Sequence, residues 1–320
     1  MKPNTPLNPW LPELWIIPDE MIISTLPQIT IGILSYNRRD DLRRTLDCLT
    51  LAVQYPDIEI IVVDNASGDG TVEMVRTEFP GVTIIALEKN IGTSARNLFY
   101  QAAKGKYIFS FDDDSFPATP STLFYVVTTL ERMEDIDSLT LFCYQPLTGF
   151  TETGESDKIY FSGAGSNGLS FAEGAMCIRT SSWHKIDGYD SDFFWGAEGV
   201  DLTLQMYAQN MKSMYHPGLA VLHMKSGENR NIGRNNYLFT RNHIWALAKH
   251  FPPYTIIPLV LLLTLRKIIT IILHVKLFKP FTRGIIDGVL GISSQRKKCR
   301  KLSLKQMLGL KRWYLMLFRW

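Results

Sequence analysis

An α/β fold with a mostly parallel sheet and flanking helices, followed by an apolar and basic helical tail, is predicted for this 320-residue chain by three observations. Short β-branched runs alternate with segments of helical periodicity from Ile29 onward. Acidic and amide residues stand at the ends of several of those runs. From about Phe251 the composition changes and becomes apolar and basic.

Ile29–Ser35 (ITIGILS) is an apolar, β-branched run and reads as a buried strand. Leu42, Leu46 and Leu49 recur at helical spacing within Arg39–Leu51. Ile58–Val63 is a second buried strand, ending at Asp64 and a turn rich in Asn, Ser, Gly and Asp. Thr71 starts a helix that runs to about Glu78. Val82–Leu87 reads as a third strand, and Ser94–Lys104 as a helix stopped by Gly105. Tyr107–Phe111 is a fourth strand and leads straight into Asp112-Asp113-Asp114. Thr119 is placed to cap the next helix, with Pro120 at its first position. Asp137–Tyr144 and Glu173–Arg179 read as further strands, and Val200–Gln209 as a helix. This alternation implies a parallel sheet covered on both faces. Ligands of such sheets bind beyond the carboxyl ends of the strands, where Ser35-Tyr36-Asn37, Asp64-Asn65 and Asp112–Asp114 all fall.

The chain is 46% hydrophobic and 20% charged, so a core forms without covalent staples. Its cysteines, Cys48, Cys143, Cys177 and Cys299, make no CxxC pair and read as small apolar residues of a reduced, cytoplasmic protein. Residues 1–28 read as a proline-rich extension rather than a signal peptide, with Trp10, Leu14 and Trp15 as surface anchors. Residues 29–250 then form one domain and residues 251–320 a separate region. That region holds 14 Lys and Arg and a single acid, Asp287. Such an asymmetry points to contact with an anionic surface.

Three adjacent carboxylates at a strand end repel one another. A divalent cation bridging them to phosphate oxygens relieves that repulsion, and Mg²⁺ or Mn²⁺ suits oxygen ligands. A solvated acidic turn is the competing reading for Asp112–Asp114. Asp64, at another strand end of the same sheet, favours the ligand site.

Four stretches resemble glycosyltransferase family 2, the large group with the GT-A fold: ITIGILSYNRRDDLRRTLDCL, IIVVDNASGDGTVEMV, NIGTSARNLFYQAAKGKYIFSFDDDS and GAMCIRTSSWHKIDGYDSDFFWGAEGVDLTLQM. They occur in the family's order between about Ile29 and Asn242, in the manner of bacterial rhamnosyl- and galactosyltransferases of cell-surface glycans. The resemblance implies a transferase acting on a nucleotide-sugar, UDP- or dTDP-linked, with Mn²⁺ or Mg²⁺ as cofactor. It implies donor contacts from Ser35, Tyr36, Asn37, Asp64, Asn65, Asn90, Gly92, Arg96, Asp112 and Asp113. Within that set Tyr36 lies against the base, Asp64 accepts from it and Arg96 lies near the diphosphate. Asp112, Asp114 and His223 are the implied metal ligands.

The family commonly shows Glu-Asp-x-Asp-Leu where this chain reads Glu198-Gly199-Val200-Asp201-Leu202. Gly199 replaces an acid often assigned as the base, so Glu198 and then Asp201 become the candidates for deprotonating the acceptor hydroxyl. Asp201 also fits an early helix acid favoured by the dipole. The same departure opens a second reading, a catalytically impaired sugar- or nucleotide-binding protein or partner subunit. Trp195 and Gly196 resemble an acceptor-side pair, with the indole stacking on a sugar. Arg230, Arg234 and Arg241 fit either a cover over the diphosphate or a solvated basic face.

In the tail, Tyr254–Leu265 is uncharged but shorter than the ~20 residues that span a bilayer, and Arg266-Lys267 interrupts it. Trp313, Tyr314, Phe318 and Trp320 then interleave with Lys305, Lys311, Arg312 and Arg319. This pattern predicts helices lying at an anionic membrane surface, on the inner face of the cell membrane, with packing on a partner or a second copy of the chain as the alternative. The acceptor is then a lipid-linked or cell-surface glycan. The tail is too apolar for nucleic acid. No G-x-G-x-x-G follows the first strand, which excludes a dinucleotide oxidoreductase. No Gly-rich loop of the nucleotidyltransferases stands there either. Gly309 and Met316 occupy the glutamine position of the Q-x-x-R-W signature of processive synthases.

Overall fold

The first strand shows how the fold is set. Ile29, Ile31 and Ile33 point to one side of β1 (Ile29–Ser35) and are wholly buried. The computed structural model describes residues 26–53, 55–144, 173–224, 231–273, 275–298 and 301–309. Residues 1–25, which carry most of the expected extension, and 310–320, which carry the terminal aromatic cluster, lie outside the described residues, as do Arg230 and Cys299.

The described residues fall into two compact units. The first comprises residues up to Ile91, Ala95–Lys185 and Lys212–Ser226. In it, β1 is followed by α1 (Arg39–Asp47), β2 (Ile58–Asp64), α2 (Thr71–Glu78), β3 (Thr83–Ala86), α3 (Arg96–Ala102) and β4 (Tyr107–Asp112). Then come β5 (Ser115–Pro117), α4 (Thr122–Arg132), β6 (Ser138–Tyr144), β7 (Ala175–Arg179), α5 (Thr180–Trp183) and, after the second unit's first helix, β8 (Ser213–His223). Among the described residues these strands form one sheet in the order β3-β2-β1-β4-β7-β6-β8-β5. The pairs among β3, β2, β1 and β4 are parallel, as expected. β7 runs antiparallel to β4 and β6, and β5 antiparallel to β8. β5 and β8 are additions to the sequence reading. β5 is too short for a periodic signal, and β8 contains His216, Pro217 and Gly218 in its middle, where the register shifts against β6.

Two boundaries differ from expectation. The helix expected over Arg39–Leu51 gives way at Cys48–Ala52 to a π-helical turn, where the Thr50 hydroxyl donates back to the Leu46 carbonyl at 2.8 Å. α4 starts at Thr122 rather than at Pro120. Thr119 instead closes a turn: its carbonyl accepts from the Thr122 amide at 3.1 Å, and the two hydroxyls lie 2.9 Å apart.

The second unit comprises Gly92–Ser94, Ile186–Met211 and the residues from Gly227. It holds α6 (Glu198–Ala208), α7 (Ile232–His250), α8 (Pro253–Leu273), α9 (Phe278–Leu290), α10 (Ile292–Gln295) and α11 (Leu304–Gly309). Asn231 caps α7 by accepting from the Arg234 amide. No helix among the described residues is long and apolar enough to cross a membrane.

Candidate active site

Parallel pairing puts the ends of β1, β2 and β4 side by side. Ser35 stands in register with Asp64, and Leu34 with Asp112. The Asn65 amide donates to the Ser35 carbonyl at 2.9 Å, and Asn65 Oδ1 accepts from the Ile91 amide at 2.9 Å, close to the half-buried Asn90. Asp64 is 1% exposed. Its Oδ2 accepts from the Ser67 amide at 2.9 Å, while Oδ1 is buried with no hydrogen-bond partner among the described residues. An unpaired buried carboxylate oxygen is costly unless a ligand donates to it. Tyr36, the residue after Ser35, is half exposed.

Asn37 joins two loops. It adopts φ 52°, its amide donates to Ser67 Oγ at 2.9 Å, and its Oδ1 accepts from the Gly68 amide at 2.8 Å. It ties the β1 loop to the β2 loop, using the tolerance of Asn for the left-handed region.

The acidic triplet is held from below by two arginines. Arg96, expected near a diphosphate, is instead buried at the start of α3. Its Nη1 donates to Ser110 Oγ at 3.0 Å and the Phe111 carbonyl at 3.1 Å, and its Nη2 meets the Asp112 carboxylate. Arg38, which the motifs did not single out, donates to Asp114 and lies 3.4 Å from Asp113 Oδ1. The signal for it was present: a cation one residue beyond SYN, opposite three carboxylates. Gly174, by contrast, was silent in the sequence. A Cβ there would stand 2.4 Å from Asp112 Oδ2, so a larger residue requires that carboxylate to turn aside.

Asp112, Asp114 and His223 come together from β4, its following turn and the end of β8. Their ligand-type atoms all lie within 4.8 Å of one another. His223 Nε2 is 2.9 Å from Asp114 Oδ1 and 3.8 Å from Asp112 Oδ2. Cys143 Sγ lies 3.7 Å from His223 Nδ1 and orients the ring from behind. Two carboxylates and an imidazole are a donor set that suits Mn²⁺ or Mg²⁺. The electrostatics are steep. Burial pushes Asp113 up to about 7, against the pull of Arg38 and with the push of Asp114 and Asp112. Burial also opposes ionisation of Asp114, but His223 and Arg38 outweigh it and hold the carboxyl at about 2. His223 is raised to about 10: burial disfavours its charge, and the bond to Asp114 overcomes that. A metal taking the Nε2 position displaces this proton.

In the second unit, Gly92 packs on the loop before α6: a Cβ on it would meet the Phe194 carbonyl at 2.0 Å, and the next amide, of Thr93, donates to that oxygen at 2.7 Å. Phe194, Gly196 and Ala197 have φ of 61°, 88° and 64°, a run of left-handed backbone that costs about 1–3 kcal/mol per non-glycine residue. Asn242 holds it. Its side-chain amide donates to the carbonyls of Phe193, Trp195 and Gly196 at 2.8, 2.9 and 2.7 Å. Nothing local announces that residue, which lies far along the chain on α7. Arg241 donates to the carbonyls of Asp192 and Phe193, and the Arg234 guanidinium lies over the Phe194 ring, so both brace this loop. Trp195 is 39% exposed and meets Phe239 edge to face, with ring centroids 6.0 Å apart. Glu198 opens α6.

Asp201 is the second of the two candidates for the base. It is 2% exposed, with Oδ1 2.8 Å from His250 Nε2 and Oδ2 accepting from Lys249 at 2.7 Å and Gln205 at 2.9 Å. Both oxygens are committed to α6 and α7, so the carboxylate is an anchor between helices.

The fold defined by this sheet is that of the GT-A glycosyltransferases. Solved structures with the same architecture include GalNAc-T7 with UDP, GalNAc and Mn²⁺ (TM-score 0.59, 17% identity, 74% of this chain and 51% of that one). Another is the mannosyltransferase PcManGT from Pyrobaculum calidifontis in complex with GDP-Man and Mn²⁺ (TM-score 0.54, 16% identity, 92% and 82%). The family model described as Glycosyl transferase family 2 matches residues 30–179 of this chain. Among curated relatives, the succinoglycan biosynthesis protein ExoO of Rhizobium meliloti (strain 1021) is 35% identical over 94 residues, which is 29% of this chain and 27% of that protein. The chain thus matches only about a quarter of that relative's length.

Proposed function

We propose that the chain transfers a sugar from a nucleoside-diphosphate donor to a hydroxyl of a lipid-linked or cell-surface glycan, with inversion at the anomeric carbon. One observation carries the reading: Asp112, Asp114 and His223 converge at the strand ends of a family 2 sheet that also bears the unpaired Asp64 oxygen. Asp64 accepts from the base, UDP or dTDP being the expected nucleotides, and Tyr36 covers it. GalNAc-T7, solved with UDP, GalNAc and Mn²⁺, and PcManGT, solved with GDP-Man and Mn²⁺, support this choice of donor and metal class. Bound at Asp112, Asp114 and His223, Mn²⁺ or Mg²⁺ would supply Lewis-acid neutralisation of the departing diphosphate. Arg38 and Arg96 hold those ligands in place.

Glu198 is the base in this reading, because Asp201 has both oxygens committed. It takes the acceptor hydroxyl's proton as the new glycosidic bond forms and the bond from the anomeric carbon to the diphosphate oxygen breaks. Residues 29–250 form the transferase region and 251–320 the membrane-associated region, and the protein works peripherally at the inner face of the cell membrane.

A panel of nucleotide-sugars with Mn²⁺ or Mg²⁺, with and without a membrane-lipid extract, tests this through release of nucleoside diphosphate. Glu198→Gln is expected to lower turnover by about 10²–10⁴-fold with donor affinity unchanged. A product that keeps the donor's anomeric configuration by NMR would exclude the one-step mechanism. Gly199 favours one rival, a nucleotide-binding protein without turnover; donor binding with no transfer or hydrolysis under any of these conditions would establish it.

A further inference from the structure

From Pro253 to Leu265, α8 carries no charged residue, and it is apolar on both sides. Ile256 and Leu259 are buried on one side. On the other, Tyr254, Ile257, Leu261 and Leu265 are 58–70% exposed. Their spacing of three, four and four residues places them in a single stripe. A helix that is hydrophobic all round is normally covered all round. A contiguous stripe of this kind differs from the singly scattered apolar residues of an ordinary surface.

α9 presents a second such face. Its inner side packs closely on α7 through small residues: a Cβ on Gly284 would meet the Tyr237 carbonyl at 2.8 Å, and one on Gly288 the Ile244 side chain at 2.7 Å. That contact fixes which side looks outward. Phe278, Ile286, Val289 and Leu290 lie on it, all exposed, with Lys279 and Arg283 among them. Val275 and Lys276, in the turn between the two helices, are exposed as well. Asp287, the single acid of residues 251–320, is engaged at home by the Tyr237 hydroxyl at 2.7 Å and by Arg283 at 3.6 Å.

We infer that the outward faces of α8 and α9 form a docking surface for an anionic lipid bilayer, into which Tyr254, Ile257, Leu261, Phe278 and Ile286 insert while Lys276, Lys279 and Arg283 meet the headgroups. Exposed apolar side chains interleaved with cations are what a helix lying in the headgroup layer requires. A second copy of the chain is a poorer occupant, because pairing these faces would oppose cations with cations and offer no free carboxylate in return. The inference rests on the peripheral placement proposed above and adds which faces meet the lipid; because lipid binding is measured without any sugar donor, it can fail while the transferase reading stands.

The test is flotation of the purified full chain with vesicles of phosphatidylcholine alone or with about a third phosphatidylglycerol. The chain is expected to float with the anionic vesicles, to stay behind with the neutral ones, and to be released by salt. Lys279→Glu with Arg283→Glu, at two exposed positions, should lower partitioning by at least about 20-fold, at about fivefold per basic residue near the surface. Ile257→Asp with Leu261→Asp should abolish flotation with an unchanged melting transition. Equal binding to both vesicle types, or flotation that survives the charge reversal, would overturn the inference. So would a lack of flotation accompanied by a dimer in light scattering that Ile257→Asp with Leu261→Asp dissociates, which would assign the face to a second copy.

Discussion

In the sheet unit, Asp114 is 4% exposed and is met by His223 and Arg38; in the helical unit, Asp201 is 2% exposed and is met by His250, Lys249 and Gln205. By burial and by partners the two carboxylates look alike, and both are held at about 2 against the cost of burial. The difference lies in what surrounds them. Asp114 has Asp113 and Asp112 as chain neighbours, and Asp112 keeps a side chain 30% exposed that converges on the same point. Asp201 shares Lys249 with Asp190, and Lys298 reaches Asp190 and Asp192, so acids and cations alternate through that network. In the first cluster ligand-type atoms of three side chains converge on one point, and Asp112 opens it to solvent. In the second, Asp201 itself is sealed, and the network reaches solvent only at Asp192 and Lys298. Burial and cationic partners alone therefore do not mark a candidate ligand site; convergence of donor atoms on a reachable point does.

That contrast can be broken in four measurements. Asp114→Asn should cut metal-dependent turnover by about 10³-fold, because one ligand to the Lewis acid is lost, while circular dichroism and the melting curve stay close to those of the parent. Retained activity would dissolve the distinction at once. Asp201→Asn should do the reverse. Removing one member of a buried network leaves Lys249 with Asp190 alone and takes the partner from His250 Nε2, at a cost of about 1–3 kcal/mol, read as a fall in denaturation midpoint. A stable Asp201→Asn protein that had lost only turnover would return Asp201 to the role of base.

The acid limb of stability is the third measurement. A carboxyl held at about 2 in the fold, below its ordinary 3.8, binds its proton more readily when unfolded. The stabilisation is thus present above about pH 4 and is lost as pH falls through about 2; it amounts to about 2–3 kcal/mol. The parent should lose that increment between pH 4 and 2, and Asp201→Asn should show a flatter profile there. The smallest effect is expected at Gly174→Ala. A methyl 2.4 Å from Asp112 Oδ2 must displace that carboxylate, and Mn²⁺ affinity by calorimetry should fall about 10–100-fold with the fold intact. Unchanged affinity would mean that Asp112 is dispensable to the metal.

The parallel half of the sheet was legible because each of its strands is a local, apolar, β-branched run that ends in a polar loop. β6 and β7 were legible in the same way, but β5 and β8 were not. β5 spans Ser115–Pro117 and β8 is interrupted by Pro217-Gly218, so both depend on partners distant in the chain rather than on local pattern. The aspartates, Asp64 and His223 stood out as residues whose chemistry has few other uses at strand ends. Arg38, Gly174 and Asn242 did not, because each acts on a residue far away in sequence.

By itself the sequence determined the order of the elements, the residues at the strand ends and the basic, apolar character of the tail, since all three follow from side-chain chemistry at short range. Tertiary structure alone decided what those residues do. Asp112, Asp114 and His223 become one donor set only because β4 and β8 lie in the same sheet. Arg96 serves as a brace only because α3 buries it against Asp112, and Asp201 is an anchor only because α7 carries Lys249 and His250 to it. Periodicity and propensity fix local conformation, but whether a buried charge is satisfied depends on groups that no stretch of sequence holds together.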